Sequence, residues 1–176
     1  MKDFKKFKHI FPWNMIIAIV VFAIGLLLCG VIDGSKPWDT FALSYYGTTP
    51  PMRYIFVPTL LVGGSYILYF ALQASKILNL YIIDFIGYVL ITSITLTATI
   101  PWYEWKDGHN ASSHIFLGFL PVLILLMGYG ARKKSKVVML TSFLIAGIAG
   151  AIALFHKYGG LPVMEFQVLY IPLVLF

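Results

Sequence analysis

The chain has 176 residues, of which 60% are hydrophobic and 11% charged, and its mean hydropathy is +0.87. These values exclude a water-soluble globule, which needs more polar side chains to cover its surface. The net charge of +6 would suggest a nucleic acid partner in a soluble protein. Here, however, the basic residues form short clusters between apolar runs, as in membrane proteins oriented by their loops. We therefore expect the lipid bilayer, and no nucleic acid, as the partner of this chain.

Six apolar runs follow one another, and most approach the roughly 20 residues that a helix needs to cross the hydrocarbon core. The predicted spans are 15–32, 54–73, 80–100, 114–129, 137–155 and 163–176. The sixth is short, so it either crosses a thinned region of the membrane or is only partly inserted. No linker or repeat divides the runs. The sequence therefore predicts an all-α bundle of six transmembrane helices in a single domain, 1–176.

Lysine and arginine are distributed unequally between the loops on the two sides of these spans. With the N-terminus in the cytoplasm, the inner segments hold nine of these residues and the outer segments hold four. Because positively charged loops stay in the cytoplasm, we expect both termini to be cytoplasmic. The expected location is a multi-pass position in the plasma membrane.

The third run carries a stripe of polar side chains. At 100° per residue they fall within about 80° of arc on one side of a helix. The stripe consists of Asp84, Tyr88, Thr92, Thr95 and Thr99. It could line a polar cavity or substrate path, because a carboxylate such as that of Asp84 is costly to place in lipid. Alternatively, the threonines bond to carbonyls of their own helix and the stripe packs against a neighbouring helix.

The predicted orientation gathers most carboxylates and histidines on the outer side. They are Asp33, Asp39, Glu104, Asp107, His109, His114, His156 and Glu165. Such groups could bind a divalent metal or perform acid–base chemistry on a lipid head group. The alternative is that acidic residues accumulate on this side because basic residues avoid it.

Within this group, Asp107, His109 and His114 form an Asp-x-His-x4-His pattern before the fourth run. This spacing differs from the i, i+4 pair that places two ligands on one helical face, so it indicates zinc only weakly. His114 and Glu165 each lie at the mouth of a span, where an ionisable group needs a partner, and they could pair. The candidate catalytic residues are therefore His114, Glu165 and Asp107, and the candidate metal ligands are His109, His114 and Glu165. No motif identifies a cofactor.

Small residues recur at four-residue intervals in the fifth run, at Ser142, Ala146 and Gly150 and again at Gly147 and Ala151. This pattern allows close approach of helix backbones. It favours packing inside the bundle over association with a second copy, and a homo-oligomer remains a possible partner arrangement.

Three segments taken together resemble a known family. They are LSYYGTTPPMRY (43–54), the stretch from Ile100-Pro101 to His114, and GGLPVME (159–165). The chain resembles an uncharacterised family of six-helix membrane proteins, a domain of unknown function related to the Frag/DRAM/Sfk group. In that group a Ser-x-x-Gly loop precedes helix two, a His opens helix four and a Gly-x-x-Glu or similar motif opens helix six. The resemblance implies Ser44, Gly47, His114 and Glu165 as site residues and implies no reaction. Phe166 stands where a basic residue often follows the family's Glu, and the last helix ends sooner than the family's.

Three functions agree with these observations. The first is a membrane protein that binds or senses a lipid or small amphiphile through the outer polar residues and the stripe. The second is a small membrane hydrolase or transferase acting on a lipid, with or without a metal. The third is a small transporter that uses the stripe as its path and oligomerises to form a gate.

Overall fold

The structure, a computed structural model, describes residues 2–34, 43–101, 103–133, 135–159 and 170. Its helices are α1 (Lys2–Asp33), a short 3-10 helix (Leu43–Gly47), α2 (Arg53–Leu78), α3 (Ile82–Thr99), α4 (Lys106–Ala131) and α5 (Lys136–Gly159). Each of the five α-helices contains a stretch long and apolar enough to cross a membrane. The predictions of an all-helical fold and of a multi-pass membrane protein are confirmed at this level.

The predicted sixth span, 163–176, lies outside the described residues except for Tyr170. This residue is helical and 4% exposed, and its hydroxyl donates a hydrogen bond to the Leu117 carbonyl at 2.7 Å. Tyr170 therefore packs against α4.

The helices extend beyond the predicted spans. The first helix begins at Lys2 rather than at residue 15, and α4 begins at Lys106 rather than at His114. Residues 106–113, which precede the predicted fourth span, form the first two turns of α4. Hydropathy detects only the apolar part of a helix, whereas polar turns continue it into the head-group region.

Consecutive helices pack side by side, and α2 also contacts α4 across one side of α3. The connections from α2 to α3, α3 to α4 and α4 to α5 are short, so these neighbours run antiparallel. The core consists mainly of apolar side chains from α2, α3 and α4, including Ile67, Leu90, Ile94, Leu120 and Leu123. Large apolar side chains also face outward on all five helices, with Val31 and Val137 more than 70% exposed. Lipid is the solvent that accepts such a surface.

Small residues set the closest approaches between helices. A Cβ at Gly128 of α4 would lie 2.6 Å from the Ser142 Cβ of α5. Ser142 and Ala146 are buried, as the small-residue pattern predicted. A Cβ at Gly147 or Gly150 would meet no described atom within 4 Å, so this part of the pattern does not pack inside the described bundle.

The antiparallel order creates two ends of the bundle. We call the His109 end the one formed by the 3-10 helix, the C-termini of α1 and α3, and the N-termini of α2 and α4. The Asp84 end is formed by the C-termini of α2 and α4 and the N-termini of α1, α3 and α5. The predicted topology places the His109 end outside and the Asp84 end in the cytoplasm.

Candidate functional site

The turn between α3 and α4 begins at a proline. A residue that precedes proline is disfavoured in the α region, and Ile100 is extended, with φ −90° and ψ 109°. The helix α3 therefore ends at Thr99. Pro101 is buried, and its carbonyl accepts hydrogen bonds from the backbone N–H groups of Glu104 (3.1 Å) and Trp105 (3.3 Å). These bonds turn the chain directly into α4.

His109 lies in the first turn of α4 and is only 4% exposed. Its Nδ1 is 2.8 Å from the Ile100 carbonyl oxygen. A carbonyl oxygen can only accept, so Nδ1 carries the proton that it donates. In the neutral ring Nε2 is then an acceptor, and this atom is buried without a hydrogen-bond partner. A buried, unpaired acceptor costs about 1–3 kcal/mol, so Nε2 needs a donor that the described residues do not supply.

Three hydroxyl groups join α3 and α4 beside His109. Thr97 Oγ1 lies 2.9 Å from Ser112 Oγ and 3.4 Å from Ser113 Oγ. Each serine Oγ also lies 2.9 Å from the His109 carbonyl oxygen, and Thr97 Oγ1 lies 2.9 Å from the Ser93 carbonyl oxygen. Each hydroxyl has one proton to donate, so the three groups share these contacts as donors and acceptors. The cluster links the backbones of two helices, as polar side chains do between helices in membranes.

Aromatic side chains lie next to this cluster at the surface. The Trp105 ring packs over Gly108, where a Cβ would collide with it. Trp105 is 60% exposed and Tyr103 is 62% exposed. Exposed amphipathic rings beside apolar helices are typical of the head-group level of a membrane. Together, Thr97, His109, Ser112 and Ser113 form what we call the His109 cluster.

The 3-10 helix forms a second buried group at the same end. Tyr46 is fully buried and packs with Cys29, Met52 and Phe56. Its hydroxyl has no hydrogen-bond partner. Burial, reinforced by the negative potential of Asp33, raises the pKa of the Tyr46 phenol above its ordinary value of 10.0.

Of the residues implied by the family resemblance, the structure describes Ser44, Gly47 and His114. Ser44 belongs to the 3-10 helix, and a Cβ at Gly47 would lie 3.3 Å from the Phe56 ring. His114 is exposed, and its Nδ1 bonds to the Asn110 carbonyl at 2.6 Å. Glu165 lies outside the described residues.

The structure does not bring the Asp107, His109 and His114 side chains together. His109 and His114 are five residues apart in α4, which separates them by about 140° around the helix. His109 is buried, whereas Asp107 and His114 are exposed. Among the described residues no group of three or more His, Cys, Asp or Glu side chains could hold a metal ion. The candidate metal ligands His109 and His114 therefore do not share a face of α4, and the third candidate, Glu165, lies outside the described residues.

The polar stripe of α3 lies mostly on its outer side. Tyr88, Thr92 and Thr99 are exposed, and Asp84 and Thr95 are half-buried. The stripe therefore does not line an interior path through the described bundle, because the face of α3 that packs on α2 and α4 is the apolar one. Thr99 donates to the Thr95 carbonyl at 2.8 Å, as the alternative interpretation of the threonines proposed.

The residues that carry the His109 cluster were missed or undervalued by the sequence reasoning. Thr97 lies outside the stripe, and Ser112 and Ser113 precede the predicted fourth span. A signal was nevertheless present, since His109, Ser112 and Ser113 follow i, i+3, i+4 spacing and so share one helical face. Ser93 and Thr97 form a similar i, i+4 pair on α3.

Comparison with known protein families, with curated proteins and with solved structures found no match to this chain. The resemblance to the six-helix family therefore stays a prediction from the sequence.

Proposed function

We propose that this protein binds a small amphiphile, a lipid or a lipid-like molecule, with its polar head at the His109 cluster. The single observation that carries the proposal is the buried and unpaired Nε2 of His109 at the end of a membrane bundle. The site would lie at the outer leaflet of the plasma membrane if the orientation predicted from the Lys and Arg distribution holds.

The chemistry of His109 defines the head group. Because Nδ1 donates to the Ile100 carbonyl, Nε2 of the neutral ring can only accept. The ligand must therefore supply a hydrogen-bond donor, which is a hydroxyl or an amine. A quaternary ammonium head group such as phosphocholine has no donor and is not expected to bind here.

The surroundings support an amphiphile rather than a fully polar ligand. Leu96 of α3 and Ile115 of α4 are exposed, as are the Trp105 and Tyr103 rings. An apolar tail can lie along such helix surfaces while the head group reaches the cluster. Tyr88 and Thr92 offer further polar contacts on the outer side of α3.

The proposal is tested by lipid retention. The protein is purified from a membrane mixture containing phosphatidylethanolamine, phosphatidylglycerol and phosphatidylcholine, and the bound lipid is measured by native mass spectrometry. We expect the two lipids with donor head groups to be retained over phosphatidylcholine. Retention of all three in proportion to their supply would contradict the proposal.

The substitution His109→Asn tests the role of Nε2 separately from that of Nδ1. The Asn side-chain nitrogen can replace Nδ1 as donor to the Ile100 carbonyl, whereas nothing replaces Nε2. We expect H109N to fold and to lose the head-group preference. The matched control is His114→Asn, the same change at the exposed histidine of the same helix, and it should retain the preference. A loss that is equal in both variants would show that His109 has no special role.

A further inference from the structure

The Asp84 end contains a second pair of buried polar atoms without partners. Ser75 of α2 is fully buried, and its Oγ has no hydrogen-bond partner. Asp84 of α3 is half-buried, and its Oδ1 is buried and also has no partner. The His109 cluster uses neither residue and lies at the opposite end of the bundle.

The register of α2 and α3 brings these two side chains to the same side of the helix pair. A Cβ at Gly87 would lie 2.8 Å from the Ala71 Cβ, so these two residues face each other across the α2–α3 contact. Ser75 lies four residues after Ala71 and Asp84 three residues before Gly87, so their levels differ by only about 1.5 Å along the axis. Around the helix axis, Ser75 lies roughly 40° from Ala71, and Asp84 lies roughly 60° from Gly87. Because the two helices are antiparallel, both offsets point to the same side of the helix pair. Ser75 and Asp84 therefore face a common space.

The turn between α2 and α3 brings two helix ends to that space, the C-terminus of α2 and the first turn of α3, which contains Asp84. The helix α2 ends at Leu78, where Asn79 adopts a left-handed conformation (φ 54°, ψ 50°). The Ser75 carbonyl accepts from the backbone N–H groups of Asn79 and Leu80, the latter at 3.1 Å. The C-terminal turn of a helix carries partial negative charge from its last carbonyls. A carboxylate, a buried hydroxyl and a helix C-terminus thus meet at one turn.

Two described basic residues near this turn, Lys76 and Arg132, do not contact the buried oxygen of Asp84. Lys76 is exposed in the last turn of α2. Arg132 of α4 donates to the Tyr129 carbonyl at 2.7 Å, and its guanidinium lies 3.5 Å above the Tyr129 ring. The buried Oδ1 therefore has no donor in contact with it among the described residues.

We propose that Asp84 and Ser75 bind a single monovalent metal cation of the size of Na⁺ at the turn between α2 and α3. Cations of this size hold oxygen ligands at roughly 2.3–2.6 Å, so two oxygens bridged by one cation stand farther apart than hydrogen-bond distance. This agrees with two buried oxygens on the same side of the helix pair that no hydrogen bond joins. One carboxylate charge matches one positive charge, and sites of this kind at helix C-termini in membranes bind Na⁺ or H⁺.

The test is Na⁺ binding by the purified protein in nanodiscs. Thermal unfolding is followed as NaCl replaces choline chloride at constant ionic strength, and stoichiometry is measured with radioactive ²²Na⁺. We expect one Na⁺ per chain and a rise in the unfolding midpoint of at least about 3 °C at saturating Na⁺. A midpoint that is the same in both salts, or no bound ²²Na⁺, would overturn the proposal.

Two substitutions locate the site. Asp84→Asn should abolish the response to Na⁺, and Ser75→Ala should weaken Na⁺ binding by about tenfold or more while leaving a folded protein, because it removes only an unpaired hydroxyl. Glu104→Gln, a change at an exposed carboxylate of the other end, is the control and should retain the response. If D84N does not fold, S75A decides the outcome, and unchanged Na⁺ affinity in S75A would overturn the assignment.

A proton or a divalent cation at the same place would also overturn the assignment. If the midpoint in choline chloride depends on pH through Asp84 while Na⁺ has no effect, the site binds a proton. If CaCl₂ stabilises the protein at concentrations where NaCl does not, the ligand is divalent. The Na⁺ measurements need no amphiphile, so their outcome is independent of the lipid-retention experiment.

Discussion

The buried polar side chains of this bundle differ in whether they have hydrogen-bond partners in the structure. Hydrogen bonds connect the hydroxyls of Thr97, Ser112 and Ser113 with one another and with two backbone carbonyls. His109 Nε2, Tyr46 Oη, Ser75 Oγ and Asp84 Oδ1 are buried without partners. The first set holds α3 against α4, and the second set marks places where a ligand or ion would complete the bonding. This division yields different expectations for substitution in each set.

Thr97→Val tests the structural set. Valine keeps the shape of threonine but removes the hydroxyl that contacts Ser112 at 2.9 Å. We expect a loss of about 0.5–2 kcal/mol in the free energy of unfolding, the range for interhelical hydrogen bonds in membranes. The measurement is an SDS titration in mixed micelles. Thr99→Val is the control, because Thr99 is exposed and bonds only to its own helix, and an equal loss there would contradict the structural role of Thr97.

Tyr46→Phe tests the unpaired set. The phenol is fully buried and its hydroxyl has no partner, so removing the oxygen leaves no acceptor or donor unpaired. We expect the free energy of unfolding at neutral pH to stay the same or to rise by up to about 1 kcal/mol. A loss of more than about 1 kcal/mol would show that the hydroxyl makes a bond in the membrane.

The raised pKa of Tyr46 also predicts a pH dependence. The folded state holds the phenol proton more tightly than the unfolded state does. The contribution of this proton to the free energy of unfolding is therefore fully present below pH 10.0, the ordinary pKa of the phenol. This stabilisation is lost as the pH rises through the higher pKa of the folded protein. We expect the wild-type protein to lose stability relative to Y46F above pH 10. Parallel pH curves for the two proteins would contradict this assignment.

The sequence predicted part of the candidate site. His109 was recognised as an outer polar residue, but it was grouped with His114 because the helical start of α4 was not foreseen. The polar composition of residues 106–113 indicates a loop when hydropathy alone is used, whereas these residues form two helical turns. The rotation of α4 about its axis decides whether His109 or His114 is buried against α3. That rotation depends on side-chain packing between the two helices, which cannot be read from a single sequence.

The helices themselves were predicted well wherever they are apolar. The runs 54–73, 80–100 and 137–155 lie almost entirely within α2, α3 and α5. Hydropathy measures the free energy of transferring side chains from water into lipid. This transfer makes the largest contribution to the insertion of such helices in the membrane. Hydropathy does not detect the polar ends of helices. Helical periodicity placed the stripe of α3 correctly on one side of the helix but did not reveal that this side faces outward.

Close packing between α4 and α5 leads to a prediction for a glycine pair. At Gly128 a methyl group would lie 2.6 Å from the Ser142 Cβ, whereas Gly118 in the same helix has nothing within 4 Å. We expect Gly128→Ala to lower the free energy of unfolding by about 1–3 kcal/mol through overpacking. Gly118→Ala should be neutral or stabilising by up to about 1 kcal/mol, because alanine favours the helix. The same SDS titration measures both variants, and equal effects would show that the α4–α5 approach is looser than described.

At the scale of the whole molecule, five described helices are long and apolar enough to cross the membrane, and Tyr170 connects the C-terminal segment to α4. The predicted orientation rests on nine basic residues against four. It places the His109 cluster at the outer leaflet and the Asp84 pair at the cytoplasmic side. An amphiphile and a Na⁺ would therefore approach the protein from opposite sides.

Cysteine labelling checks this orientation. In a Cys29→Ala background, Tyr103→Cys and Lys133→Cys place single exposed thiols at opposite ends of the bundle. We expect a membrane-impermeant maleimide to label Y103C in intact cells and K133C only after permeabilisation. Labelling of K133C alone in intact cells would reverse the topology, and labelling of both would contradict the antiparallel order of the helices.

The central claim is that His109 Nε2 accepts a hydrogen bond from an amphiphile. The most direct measurement is an experimental structure of the protein in nanodiscs that contain phosphatidylethanolamine, at a resolution that shows side chains and bound lipid. We expect lipid density at the His109 end with a head-group donor within about 3.2 Å of Nε2. A structure in which Nε2 bonds to another side chain of this protein, with no lipid head group nearby, would contradict the claim.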